Sequence, residues 1–353
     1  MARFANARAA YGFRAVLAFL AVAVSGCATA GDTGMHGDRP IVIAHRGASG
    51  ERPEHTLAAY TLAIQQGADF IEPDLVPTRD GVLVARHENR IDDTTDIAQH
   101  PEFAARRATK TIDGAAMTGW FTEDFTLAEL KTLRTKERLP QLRPANAKYD
   151  GQFDIPTLAE IIALAKRHGV GIYPETKHPS YFASIGLPLE ERLVAQLGEA
   201  GWTDADAPVF IQSFEVANLK RLKAMTGIRL IQLVASEGGP ADTAATSYAA
   251  MLTADGLAAI ATYAYGLGPQ KELLERDGTD TGLVAAAHAA GLKVHPWTFR
   301  AENAFLPTGD RSGTDPRATG RMSDEMARLL GYGIDGFFTD FPLMGVKARD
   351  AAR

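Results

Sequence analysis

From Pro40 onward, short runs of β-branched and aromatic residues alternate with stretches of helical apolar spacing, and no other feature restricts the fold as strongly. Strand-like runs lie at Ile41 to Ala44, Phe70 to Val76, Val170 to Glu175, Val209 to Gln212, Arg229 to Val234, Tyr263 to Leu267, Lys293 to Thr298 and Gly336 to Asp340. Helix-like stretches separate them, beginning near Glu54, Thr157, Leu189, Val216, Ala254, Thr281 and Ser323. Crossovers of that length let successive strands run parallel. The spacing predicts an α/β fold, a TIM (β/α)₈ barrel, with chemistry at the C-terminal ends of its strands.

The alternation breaks once. Thr78-Arg79-Asp80-Gly81 leads straight into the apolar run Val82 to His87, too short a link for a crossover, and Asp-Gly between two apolar runs signals a hairpin. A two-residue loop at Asp80-Gly81 places His87 opposite Asp74, and a loop one step earlier places it opposite Glu72. Residues 88–150 lack a clean period and are expected to form an insertion on the active-site side, with a helix at Thr126 to Leu133 and a loop at Pro140 to Gly151. Its aromatics Trp120, Phe121 and Phe125 either cap the substrate or pack inward. The polar stretch Arg300 to Gly320 reads as a lid.

The residues suited to chemistry sit at strand ends. His45 and Arg46 close the first strand, where Gly47 and Gly50 permit a tight turn. Glu72 and Asp74 are two apart and share a strand face, with Pro73 between them marking a bulge or edge. Glu175 and Lys177 repeat that spacing. Three carboxylates converging with His45 and His87 would repel one another without a divalent cation among them. An oxygen donor set favours Ca²⁺ or Mg²⁺ over zinc. His55, at a helix start, reads as a surface or packing residue, as do His100, His168 and His288. His178 and His295 are expected nearer the mouth. Phe337 and Phe338 read as core.

A net charge of −6 argues against nucleic acid as a partner. At the N-terminus, Arg3, Arg8 and Arg14 precede the apolar run Ala15 to Val24 and then Ser25-Gly26-Cys27. This resembles a bacterial lipobox: a signal peptide over 1–26, a lipid anchor on Cys27, a tether over 27–39, the barrel over 40–346 and a tail over 347–353. Ala28-Thr29-Ala30 offers an alternative secretory cleavage site. Either route predicts export. The lipobox predicts a periplasmic protein anchored to a membrane, the outer one favoured by Ala28 in place of Asp. With a single cysteine the chain has no disulfide, so stability rests on the core.

The segments HRGASGERPEHT, IEPDLVPTRDGVLVARHE, YPETKHP, FIQSFE, HPWTFR and DGFFTDFP resemble, in order and spacing, the glycerophosphodiester phosphodiesterases of the periplasmic bacterial type. The resemblance spans about Pro40 to Val346. It implies a phospholipase C-like phosphodiesterase barrel, a divalent cation (Ca²⁺ in that type) and release of glycerol 3-phosphate and an alcohol from a small glycerophosphodiester. It further implies His45 and His87 as the acid–base pair, Glu72, Asp74 and Glu175 as metal ligands, and Arg46 and Lys177 facing the phosphate. Trp297 is either an apolar wall for the glycerol moiety or a core aromatic. Two positions depart from the family pattern: Glu88 follows the second histidine where Asp is usual, and Pro73 sits between the two acids. Phosphodiester chemistry implies attack by the glycerol 2-hydroxyl through a cyclic phosphate, with direct attack by water as the competing route. A phospholipase acting on intact lipids and a non-catalytic surface lipoprotein are the alternative functions.

Overall fold

A computed structural model describes residues 39–243 and 245–352; the expectations for the signal peptide, Cys27 and most of the tether lie outside them. Eight parallel strands close a barrel. They are β1 (Ile41–His45), β2 (Phe70–Glu72, resumed after Pro73 as Asp74–Pro77), β3 (Gly171–Ile172, resumed as Glu175–Thr176), β4 (Phe210–Ser213), β5 (Arg229–Val234), β6 (Gly266–Pro269), β7 (Lys293–Val294) and β8 (Gly336–Thr339). β1 pairs with both β2 and β8, which joins the ends of the sheet. Between β7 and β8 the contact runs through the Asp335 and Phe338 amides to the Val294 and Pro296 carbonyls.

Inside the barrel, alternate residues of these strands bring Ile41, Ile43, Phe70, Tyr173, Phe210, Ile231 and Phe338 into one cluster. Tyr173 stacks on Phe210 at 5.0 Å and meets Phe338 edge-on at the same distance. Gly171 is required there, because a Cβ would lie 2.1 Å from the Phe70 ring. His295 belongs to this floor and not to the mouth: it is buried and its Nδ1 lies 2.8 Å from the Tyr173 hydroxyl. Burial lowers its pKa to about 4. The opposite strand faces, among them Val42, Ile71, Leu75, Ile172, Ile211 and Phe337, pack under the helices in the larger core. Helix starts follow from local chemistry. Thr56 caps Leu57–Gln65, and Thr157 with Glu160 forms a capping box at Leu158–His168, which ends at left-handed Gly169.

Two features differ from expectation. The hairpin pairs Asp74–Pro77 with Leu83–Ala85 in the register Leu75↔Ala85 and Val76↔Val84, one step between the two anticipated. The loop therefore holds three residues, Arg79 to Gly81, and counting outward sets His87 level with Pro73. Within 88–150, a second hairpin joins Ala108–Ile112 to Ala115–Gly119 through Asp113 and Gly114, both with positive φ, as a tight two-residue turn demands. Helix formation near Thr126 is confined to Leu127–Leu130, and the 140–151 loop contains one turn, Pro144–Ala147. Phe121 and Phe125 are buried, and Trp120 donates its indole N–H to the Phe103 carbonyl at 2.8 Å, so all three pack inward and none forms a cap.

Phe338 fills the barrel floor in contact with Tyr173, so Phe338→Ala is expected to destabilise the protein by about 3–5 kcal/mol. Urea unfolding of the variant checks this; a loss below about 1 kcal/mol would show that the floor is not packed as described.

Candidate active site

At the end of β1 the backbone turns through left-handed Arg46 and Gly47. A side chain at Gly47 would strike the Ala59 backbone at 2.7 Å, so only glycine fits. The turn aims the Arg46 amide at Glu72 Oε2 (2.8 Å) and folds its guanidinium between Glu54 (3.0 Å) and Asp74 (3.3 Å). Pro73 breaks the ladder between Glu72 and Asp74, and Asp74 and Glu175 then pair across β2 and β3.

Glu72, Asp74 and Glu175 are buried and offer oxygens within 4.8 Å of one another. Burial, and then Asp74 and Glu175, push Glu72 well above the usual carboxylate range. Glu175 rises to about 8, again chiefly by burial. Asp74 stays well below its ordinary value, since Lys177, His87 and His55 outweigh burial. Lys177 Nζ bridges Glu175 (2.7 Å) and Asp74 (3.5 Å). Gln212 donates to Glu72 at 3.2 Å, while its own buried Oε1 has no hydrogen-bond partner among the described residues. Three desolvated acids and an unpartnered amide oxygen fit a hard divalent cation.

Each histidine is held by its own carboxylate. His45 Nδ1 lies 2.6 Å from Asp340 Oδ1, and His87 Nδ1 lies 2.5 Å from Glu88 Oε1. A carboxylate at Nδ1 fixes the tautomer and leaves Nε2 as the ring atom for proton transfer. Burial and then Arg46 lower His45 to about 4 and His87 to about 3. Trp297 is half-buried, donates its indole N–H to the Gly268 carbonyl and meets Phe214 edge-on at 5.7 Å. Phe214 in turn lies under Lys177, 5.8 Å from its Nζ. Beside this wall a cavity of about 880 Å³ is bounded by Trp297, Arg300, Phe305 and Arg328; neither His45 nor His87 lines it.

His55 corrects its expected surface or packing role. It is fully buried, with Nε2 2.8 Å from Asp74 and Nδ1 2.8 Å from Tyr60 Oη, so it orients one of the clustered acids. His178 turns to Asp113 of the inserted hairpin, and His288 to Asp335. The residues not anticipated are Glu54, Arg138, Arg143, Gln212, Phe214 and Asp340. Asp340 had a usable signal, an acid directly after the last strand; Arg138 and Arg143 had none, since they lie in an aperiodic insertion.

An eight-stranded parallel barrel whose second strand folds back as a hairpin beside a cluster of acids and histidines is a phospholipase C-like phosphodiesterase barrel. Its likeness to solved structures agrees: a phosphodiesterase of Silicibacter pomeroyi aligns at TM-score 0.64 and 22% identity, covering 90% of this chain and 95% of that one. The chain belongs to the glycerophosphoryl diester phosphodiesterase family, whose pattern matches residues 45–344, and it is a phosphodiesterase of that kind. A glycerophosphodiester phosphodiesterase of Arabidopsis thaliana is 39% identical over 322 residues, 86% of this chain and 84% of the relative. One from Haemophilus influenzae is 32% identical over 351 residues, 90% and 91% of the two chains. A plant relative above a bacterial one shows the family without singling out its bacterial periplasmic branch. The Oleispira antarctica phosphodiesterase, solved with its product sn-glycerol-3-phosphate, aligns at TM-score 0.59 and 25% identity over 88% of this chain and 97% of that one.

The acid cluster makes stability depend on pH and cation together. Glu175 has a folded pKa near 8 against 4.5 when exposed, so its contribution is complete below pH 4.5 and is lost as pH rises through 8. A cation competes with those protons and gains affinity as they leave. The rise in Tm on adding CaCl₂ is therefore expected to be larger near pH 8.5 than near pH 5 by scanning calorimetry; equal rises would contradict the assignment.

Proposed function

We propose that the protein hydrolyses small glycerophosphodiesters to sn-glycerol 3-phosphate and an alcohol, with His45 and His87 exchanging protons and Glu72, Asp74 and Glu175 holding Ca²⁺, or Mg²⁺ in its place. The observation that carries this reading is the acid cluster beside two histidines, each with a carboxylate on Nδ1. A cation at the cluster would supply Lewis-acid stabilisation of the phosphoryl oxygens. Arg46 and Lys177, already engaged with Asp74, add positive charge on the same side. Burial keeps both imidazoles neutral at pH 7 in the free protein. An anionic phosphodiester in the mouth brings the negative charge that favours protonation of one of them, and the other remains free to accept the proton of the glycerol 2-hydroxyl. The protonated ring then delivers its proton to the leaving alcohol, and water opens the cyclic phosphate with the roles exchanged. Phe214 and Trp297 provide an apolar wall for the glycerol carbons.

Small substrates are favoured over intact lipids because the described residues expose only two large apolar side chains, Ile185 and Leu343. With glycerophosphocholine and Ca²⁺, His45→Ala and His87→Ala are each expected to lower turnover about 10²–10⁴-fold, and a chelator to abolish it. Rapid-quench samples should contain the cyclic phosphate. Its absence would favour direct attack by water, and faster turnover of micellar lipid than of glycerophosphocholine would favour the phospholipase reading.

We also propose export, cleavage before Cys27 and lipidation of that residue, which leaves the barrel tethered in the periplasm through residues 27–39; the support is the basic, apolar and small-residue order of the first 27 residues. Cys27→Ser is expected to move the protein from the membrane fraction to the soluble one on cell fractionation. Retention with the membrane would remove the anchor from the proposal.

A further inference from the structure

The carboxylates that hold the two histidines are themselves held, and by neighbouring parts of one loop. Arg138 and Arg143, five positions apart in the insertion, reach opposite sides of the mouth. Arg138 gives Nη1 to Glu88 Oε2 at 2.8 Å, and Nε and Nη2 to the two oxygens of Glu54 at 2.9 and 2.6 Å. Arg143 gives Nη2 to Asp340 Oδ2 at 2.6 Å, Nε to Glu302 at 2.6 Å and Nη1 to the Ser49 carbonyl at 3.0 Å. In both cases one carboxylate oxygen meets the imidazole and the other meets a guanidinium, Asp340 Oδ2 also accepting from Arg300 Nε at 2.9 Å.

We propose that Arg138 and Arg143 are positioning residues for the reaction, a two-armed brace that sets the ring orientation and tautomer of His87 and His45 through Glu88 and Asp340. The proposal rests on the reading of those histidines as the acid–base pair. A carboxylate bonded only to an imidazole can swing about its own side-chain torsions. Pinning its second oxygen removes that freedom and aims the ring. The planar guanidinium suits the task because it spans two carboxylates at once, which a single ammonium cannot do in the same geometry. The loop carrying both arms is anchored locally. Asn146 donates to the Ser49 carbonyl at 3.1 Å and to Glu137 at 2.9 Å, and Glu137 accepts from the Leu139 amide at 2.8 Å. The insertion, whose first residue Glu88 already meets His87, is thereby assigned a part in catalysis through Arg138 and Arg143 as well.

The test compares Arg138→Gln, Arg143→Gln and the corresponding Lys variants with the surface control Lys148→Gln, using glycerophosphocholine and Ca²⁺. Each Gln variant is expected to lose about 10–100-fold in kcat with KM and the calcium-induced rise in Tm unchanged, and each Lys variant to recover only part of the loss. The Lys variants keep the buried charge and serve where a Gln variant does not fold. Histidine-ring ¹⁵N spectra should lose the single Nδ1–H tautomer at His87 in the Arg138 variants and lose it in part at His45 in the Arg143 variants, where Arg300 still holds Asp340, each leaving the other ring as it was. Unchanged kcat, or a loss carried by KM or by the calcium response, would overturn the brace. Full activity in His45→Ala and His87→Ala would instead remove the functional reading beneath it.

Discussion

Everything in the mouth answers to one difficulty, the desolvation of three carboxylates of like charge. Glu72, Asp74 and Glu175 are each almost fully buried, and charges so placed persist only when paired, protonated or bound to metal. Around them the fold gathers Arg46, Lys177 and the imidazole of His55, yet Glu72 and Glu175 still sit well above the ordinary carboxylate range. The cationic side chains thus offset the cluster only in part. A divalent ion would complete the offset without further side chains, and that incompleteness is what makes the cluster fit one.

The break at Pro73 creates the room for this. Before it, β2 lies against β1 and β3; after it, the strand leaves β1 and takes the hairpin strand Leu83–Ala85 as its neighbour. Proline donates no hydrogen bond to the ladder and suits such a break. β1 ends at the same level, at His45, and its onward turn drops Arg46 into the gap beside Asp74. A continuous ladder there would leave less space for the guanidinium. Pro73 is therefore compatible with the acid pair it separates.

What was legible in the sequence was whatever has a period or a strand end. The eight strands, the hairpin after β2 and the residues His45, Glu72, Asp74, Glu175 and Lys177 all follow from alternation and spacing, and the structure brings those five to one mouth. For His87 the spacing predicts a carboxylate directly opposite, and the observed register lies one step from that. The histidine lies in a bend just past the end of the hairpin strand at Ala85, after the Arg86 amide bonds the Asp74 carbonyl, and does not face Glu72 or Asp74 across the ladder. For His55 the sequence suggests a surface or packing role; it is buried, and what the sequence does not show is that the helix start sets its Nε2 on Asp74. Asp113-Gly114 carried the same turn signal as Asp80-Gly81, but polar flanking runs hid the strands of that exposed hairpin. Arg138 and Arg143 were beyond reach: their partners lie 50 and 197 positions away.

The two histidine arms are alike in plan and unequal in stiffness. Asp340 is almost fully enclosed, 3% exposed, and its second oxygen receives both Arg143 and Arg300, so the carboxylate on His45 has little room to turn. Glu88 is 30% exposed, carries one more methylene than Asp340, and among the described residues has Arg138 on its outer oxygen. A longer side chain has another torsion to immobilise, which costs conformational entropy when the carboxylate must stay on the imidazole. Arg138 offsets this because it is itself fixed at two points by Glu54, which Arg46 holds from the other side. The longer glutamate arm is therefore steadied at its outer end by a guanidinium that is itself fixed at two points. On this arm the orientation of His87 rests on a guanidinium whose own position Glu54 sets twice over.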